Sequence, residues 1–316
     1  MTPISTKVLF GHCYGRYAIA AVNVFNMEQV HGLFAAAQQA AAPIIVQITP
    51  AARNYAYARM MKAMVDAAAD IYPEVVYAIH LDHGNEDHVF DAMDEGYTSV
   101  MIDASHDAFE QNVARTRAVK ERAHAMNIVV EAELGVLGGV EDDMDIEASA
   151  ARYTDPEQAA RFVELTACDS LAVAVGTSHG AYKFSGGQGL QFHVLEKIRE
   201  RLPGFPLVLH GASLVDPHDV ERINLHGGKL QHGASGISRE ELQKAIRLGI
   251  CKVNIATDLR LLWARVYREF FYEHPDQFDP VAPGRQYRNA CANMLMERFE
   301  LLGATGKAQQ ILETVL

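Results

Sequence analysis

Residues 44–48 read IIVQI and residues 207–210 read LVLH. Side chains alternate along a strand, so runs that are apolar at both parities are buried on both faces. That is the pattern of parallel strands covered by helices, each of which needs a crossover helix to reach the next. Short β-rich apolar runs of this kind recur at 18–23, 43–48, 75–81, 99–102, 128–134, 170–175, 206–210 and 252–257. Segments with helical spacing of apolar residues follow strands at 27–41, 58–71, 87–95, 109–126 and 156–166. Eight βα units in 316 residues predict an α/β fold closed as a (β/α)8 TIM barrel, with a doubly wound sheet as the alternative. No linker or composition break divides the chain. One domain over 1–316 is therefore expected, with a helix at 259–273 and a C-terminal helical extension outside the barrel.

A net charge of -12 excludes a polyanion such as nucleic acid as the main partner, because nothing would neutralise its phosphates. Any phosphate site must be local. The four cysteines, Cys13, Cys168, Cys251 and Cys291, form no CxxC pair, which argues against a thiolate metal cluster or a disulfide framework. No basic leader and no apolar run of spanning length is present. A cytoplasmic protein with no membrane partner is expected.

Barrel chemistry sits at the carboxyl ends of the strands. Here the strands end at Asn23, at Gln47 and Thr49, at Asp82 and His83, at Asp103, at Glu131 and Glu133, at His179, at His210, and at Asn254 and Thr257. Three histidines, His83, His179 and His210, thus converge on one rim with several carboxylates. Three neutral imidazoles with an open position form a recurrent catalytic zinc arrangement. Most of the 14 histidines, such as His31, His88, His124 and His274, read instead as surface or capping residues. His80 reads as a core histidine facing away from Asp82. Asp82 can serve as a general base beside the metal or can orient a ligand histidine. Asp103 and Glu133 can ligate metal or hold its ligands, and the sequence does not separate the two.

Phosphate binding needs backbone amides and small side chains. The rim offers Gly180 with Lys183, Gly211 with Ser213, and the run from Asn254 to Thr257. The Gly-rich loops GTSHGAYKFSGGQG (176–189) and HGASL (210–214) are longer or more irregular than ordinary connections. Other templates fail on inspection. No GxGxxG follows the first strand, GATGK lacks the spacing of a P-loop, no HxH pair lies on an early strand, and GTSHG is not GxSxG. A Schiff-base route needs a desolvated lysine inside the barrel, and Lys183 is the only rim candidate.

Six ordered blocks, HLDHG (80–84), SVMIDASH (99–106), VEAELG (130–135), GTSHGAYK (176–183), LVLHGAS (207–213) and KVNIATDL (252–259), resemble the class II fructose-bisphosphate aldolases. The resemblance implies cleavage of fructose 1,6-bisphosphate to dihydroxyacetone phosphate and glyceraldehyde 3-phosphate, with zinc stabilising an enediolate. It implies His83, His179 and His210 as zinc ligands, Asp82 as the acid/base, and Asp103 with Glu133 as a second metal position. Glu141, in GGVEDD, matches a mobile-loop glutamate that moves a proton beside the ketone, and Gly138 and Gly139 fit a loop there. Asn23, Thr49, Gly180, Lys183, Gly211, Ser213, Asn254, Ala256 and Thr257 match substrate-binding positions, mainly for the dihydroxyacetone phosphate half. Arg260 matches an arginine that reaches a neighbouring subunit's substrate, which implies a homodimer or higher oligomer. Asp279 resembles a residue that selects fructose over tagatose stereochemistry. Thr49 stands where serine is usual, Leu214 where glycine is common, and Ala256 where one branch has aspartate. A tagatose-bisphosphate aldolase is the nearest rival. The identity of the metal and the use of a monovalent cation stay open.

Overall fold

The structure is a computed structural model that describes residues 2–136, 138–141, 144–146, 152–179, 189–231 and 237–315, with the backbone alone described for 138–141, 144–146, 178, 179 and 315. Eight parallel strands build the core. They are β1 (Ile19–Asn23), β2 (Ile44–Ile48), β3 (Tyr77–Gly84), β4 (Ser99–Ile102), β5 (Val129–Leu134), β8 (Ser170–Val173), β10 (Leu207–Leu209) and β11 (Ile250–Ile255). They close on themselves in the order β1-β11-β10-β8-β5-β4-β3-β2. Each coincides with one of the eight apolar runs, so the fold is the (β/α)8 barrel. Closure comes from the pairing of the first and last strands, with Ala21 opposite Asn254.

The helices begin where the strand ends leave polar residues. Asn26 accepts from Gln29 N to cap α2 (Met27–Ala40), Thr49 from Ala52 N to cap α3 (Pro50–Ala56), and Asn85 from His88 N to cap α5 (Glu86–Asp94). Asp155 likewise caps α7 (Pro156–Thr166). Each side chain satisfies an amide that the first turn would otherwise orphan. The same short polar segments therefore stop a strand and start a helix.

Three features were not anticipated. Outside the barrel, β6 (Gly138–Glu141), β7 (Met144–Ile146) and β9 (Ser178–His179) form a small sheet of order β7-β6-β9. The segment read as a loop after Gly138 is thus a strand, with Gly139 paired to His179. His179 does not end a barrel strand either, because β8 stops at Val173 and the chain forms a separate strand further on.

After α11 (Thr257–Glu273) comes α12 (Val281–Leu302), which lies against α2. Its buried face repeats at Tyr287, Cys291, Leu295, Phe299 and Leu302, a helical spacing. The Tyr287 hydroxyl accepts from Gln29 Nε2 at 2.9 Å and donates to Leu259 O at 3.1 Å. Gly32 makes the close approach possible, because a Cβ there would sit 3.0 Å from Arg288 O and 3.2 Å from Cys291 Cβ. Gly32→Val should therefore force the two helices apart and destabilise the protein by about 1–3 kcal/mol, read as a lower urea midpoint at unchanged slope.

Candidate active site

Successive strand residues face opposite sides of a sheet, so Asp82 and His83 cannot both enter one site from a regular strand. The end of β3 is not regular. The pairing with β4 shifts register between Leu81 and Gly84, and His83 takes a left-handed backbone with φ of 52°. A bulge of this kind re-aims a side chain. Asp82 stays buried inside the barrel while His83 turns to the same rim, and the ring nitrogens of His83 and His210 meet, with His83 Nε2 2.9 Å from His210 Nδ1.

The far nitrogen of each ring is held by a carboxylate. Asp103 Oδ2 lies 2.8 Å from His83 Nδ1, and Glu131 Oε1 lies 2.9 Å from His210 Nε2. Carboxylate–imidazole pairs of this type fix the tautomer and orientation of metal-ligating histidines. Donor atoms of Asp82, His83 and His210 lie within 4.8 Å of one another, as do those of His83, Asp103 and Glu133. Four carboxylates, Asp82, Asp103, Glu131 and Glu133, thus surround two convergent imidazoles. That excess of buried negative charge, together with the converging ring nitrogens, fits a divalent cation.

The proton affinities agree with this charge balance. Burial works against a charge on His83, but Asp82, Asp103 and Glu133 push its pKa well above the ordinary imidazole value. Burial, followed by the charge of Asp103, pushes the Glu133 carboxyl well above its usual range. For Asp103 burial also acts upward, yet the hydrogen bonds from His83 and Ser105 outweigh it and hold the group well below the usual carboxylate range. Asp103 is thus already engaged with His83, which suits holding a ligand as well as binding a second ion.

Asp82 is held by two amides, accepting from Asn23 Nδ2 at 2.9 Å and from Asn254 Nδ2 at 3.3 Å. Gln47 Nε2 in turn donates to Asn23 Oδ1 at 2.8 Å. Four strands, β1, β2, β3 and β11, therefore fix one carboxylate in one orientation. Asn254 Oδ1 is buried without a hydrogen-bond partner among the described residues, on the same side chain whose amide nitrogen holds Asp82, and a donor on the substrate is its natural complement.

On the far side of the rim, Gly211 has φ of 59° and Ser213 Oγ accepts from Ala256 N at 3.4 Å, which ties the β10 and β11 loops together. Thr257 opens α11, whose N-terminal amides no side chain caps because Ala256 carries no acceptor. An uncapped helix N-terminus favours an anion, and an aspartate at 256 would compete with it. Thr49 Oγ1 is engaged as the α3 cap. The Arg260 guanidinium lies over the Phe25 ring at 4.9 Å. Asp279 stands apart at the start of α12, where its carboxylate accepts from Val281 N at 2.8 Å. Gly180 and Lys183 lie outside the described residues, and of Glu141 and His179 only the backbone is described, in the paired strands β6 and β9.

Two expectations are corrected. His80 is a buried core histidine, but it does not face away from Asp82: residues two apart share a face, and His80 Nε2 lies 3.3 Å from Lys252 Nζ inside the barrel. Burial and the Lys252 ammonium push its pKa well below the ordinary value, leaving a neutral ring. A Schiff-base candidate also lies inside the barrel, where none but Lys183 at the rim was expected. Lys252 is fully buried in the barrel and bonded to both oxygens of Glu131, at 2.9 and 3.1 Å. An ammonium locked in that ion pair has no lone pair to offer a carbonyl. Lys252 shares parity with Asn254 in KVNI, and that was the signal available in the sequence.

The family description "Fructose-bisphosphate aldolase class-II" matches residues 5–307. The fructose-bisphosphate aldolase of Giardia intestinalis is 41% identical over 300 residues, 93% of this chain and 90% of its own. That of Thermus caldophilus is 43% identical over 296 residues, 92% of this chain and 95% of its own. Among solved structures, the YdjI aldolase of Escherichia coli K12 superposes with a TM-score of 0.77 at 31% identity, covering 97% of this chain and 100% of that one. With a metal-competent site at the carboxyl rim of a matching barrel, the chain belongs to the class II fructose-bisphosphate aldolase family of metal-dependent lyases.

Proposed function

We infer that the protein reversibly cleaves fructose 1,6-bisphosphate to dihydroxyacetone phosphate and glyceraldehyde 3-phosphate, with zinc at the His83, His179 and His210 position. The observation that carries this reading is a buried carboxylate, Asp82, held by two amides beside the convergent nitrogens of His83 and His210. A bound zinc ion supplies Lewis-acid stabilisation of the negative charge that develops at the substrate ketone.

The chain's own residues do the rest. Asp82 takes the proton of the C4 hydroxyl, the C3–C4 bond breaks, and C4 leaves as the aldehyde of glyceraldehyde 3-phosphate. The bond's electron pair remains with the dihydroxyacetone phosphate half, and a proton delivered through Glu141 closes the balance at C3. Gly180, Lys183, Gly211, Ser213, Asn254, Ala256 and Thr257 bind that half and its phosphate, with the open amides of α11 as the anion seat. Asn23 has a second use here, since its amide orients Asp82. Arg260 serves a neighbouring subunit's substrate in a homodimer, and Asp279 favours the fructose configuration. The chain forms one barrel domain with α12 packed outside it. Four buried free cysteines suit a reducing cytoplasm, and among the described residues no helix is long and apolar enough to cross a membrane.

The test is a coupled triose phosphate assay on protein of measured metal content. A chelator should abolish activity and zinc restore it, borohydride with substrate should trap nothing, and kcat/KM should favour fructose over tagatose bisphosphate. Activity in metal-free protein would overturn the reading, and a tagatose preference would reassign the substrate. Glu141→Ala should retain zinc and slow turnover by about 10²-fold or more, seen most directly as slowed tritium exchange into dihydroxyacetone phosphate.

A further inference from the structure

Beneath the rim the barrel contains a polar layer that the reaction as described leaves unused. Lys252, Glu131 and His80 are all buried there, at 0%, 1% and 0% exposure. Lys252 Nζ donates to both Glu131 oxygens, and His80 Nδ1 lies 2.8 Å from Ser99 Oγ. Barrel interiors are ordinarily filled by branched apolar chains. A buried ion pair is also seldom more stable than an apolar pair of the same volume, so stability does not explain its presence. The layer has one outlet to the site: Glu131 Oε1, besides accepting from Lys252, lies 2.9 Å from His210 Nε2.

We propose that Lys252 is a positioning residue for His210, acting through Glu131. A carboxylate only accepts hydrogen bonds, so Glu131 requires the proton of His210 to sit on Nε2. The lone pair of Nδ1 is then left facing His83 Nε2, 2.9 Å away, where the metal belongs. Because Lys252 engages both oxygens, Glu131 cannot rotate toward the ion and become a ligand itself. Lys252 touches neither the metal position nor Asp82, yet it fixes which nitrogen of His210 is available. This rests on the reading of His83 and His210 as metal ligands.

The tautomer is measurable without metal. In apoprotein labelled with 15N-histidine, His210, identified by the signal lost in His210→Asn, should show a protonated Nε2 and a bare Nδ1. In Lys252→Met, Glu131 is free to rotate off His210 Nε2, so the two tautomers should mix, zinc affinity measured by competition with a fluorescent chelator should fall about 10–100-fold, and the visible spectrum of the cobalt-substituted protein should change. Lys252→Met leaves Glu131 buried without its cation, so the double variant Lys252→Met/Glu131→Gln, which removes both charges, is read alongside it. The side-chain amide that this variant introduces can donate or accept, so the same mixing and the same loss are expected. A wild-type His210 protonated on Nδ1 would overturn the proposal, and so would a folded variant with unchanged tautomer and zinc affinity. A wild type that has the expected tautomer but binds no zinc would overturn the ligand reading of His83 and His210, and this inference with it.

Discussion

Asp82→Ala is expected to lower kcat by about 10²–10⁴-fold while zinc stays bound. Asp82 is buried and accepts from Asn23 and Asn254, so on the proposed reading its loss removes the proton acceptor while both imidazoles remain. Metal analysis and steady-state kinetics on one preparation separate the two effects. Asp82→Asn sharpens the comparison, because it keeps the volume and loses the basicity. If turnover were unchanged in both variants, Asp82 would have no part in proton transfer, and its remaining role would be to sit beside His83.

His210→Ala should fail earlier, at the metal. His210 supplies one of the two nitrogens that converge at 2.9 Å and is itself fully buried. On the proposed reading its removal deletes a metal ligand, and it leaves Glu131 paired with Lys252 beside an empty volume. Zinc content after dialysis should fall to background, and cleavage with it. Added zinc in excess should recover a small fraction of the rate at most. Full activity at wild-type zinc content would remove His210 from the metal site.

The barrel was readable because the evidence for it is local and redundant. Eight apolar runs such as IIVQI each announce a strand buried on both faces, and the helical spacing between them leaves few other topologies. The rim was readable for a related reason, since polar residues that interrupt such runs have little to do except cap a helix or perform chemistry. What escaped depends on facing. His80 and Lys252 sit inside strands, and only counting parity from Asp82 and Asn254 places them in one interior layer with Glu131, which read as a strand end but lies within β5. The strand β6 escaped because glycines at 138 and 139 read as the start of a loop, while its partner β9 is two residues long and far away in sequence. The adjacency of Asp82 and His83 looked sufficient in sequence. Physically it depends on a bulge and a positive φ that no residue type at 82–84 announces, apart from the glycine that follows.

The left-handed backbone at His83 sets two selective pressures against each other. A side chain in that region is disfavoured by about 1–2 kcal/mol, and glycine would relieve the strain at once. Yet glycine would also delete the ring that pairs with Asp103 among the clustered carboxylates, so variants at position 83 should lose metal and heat resistance together, and the strain persists for the sake of the site.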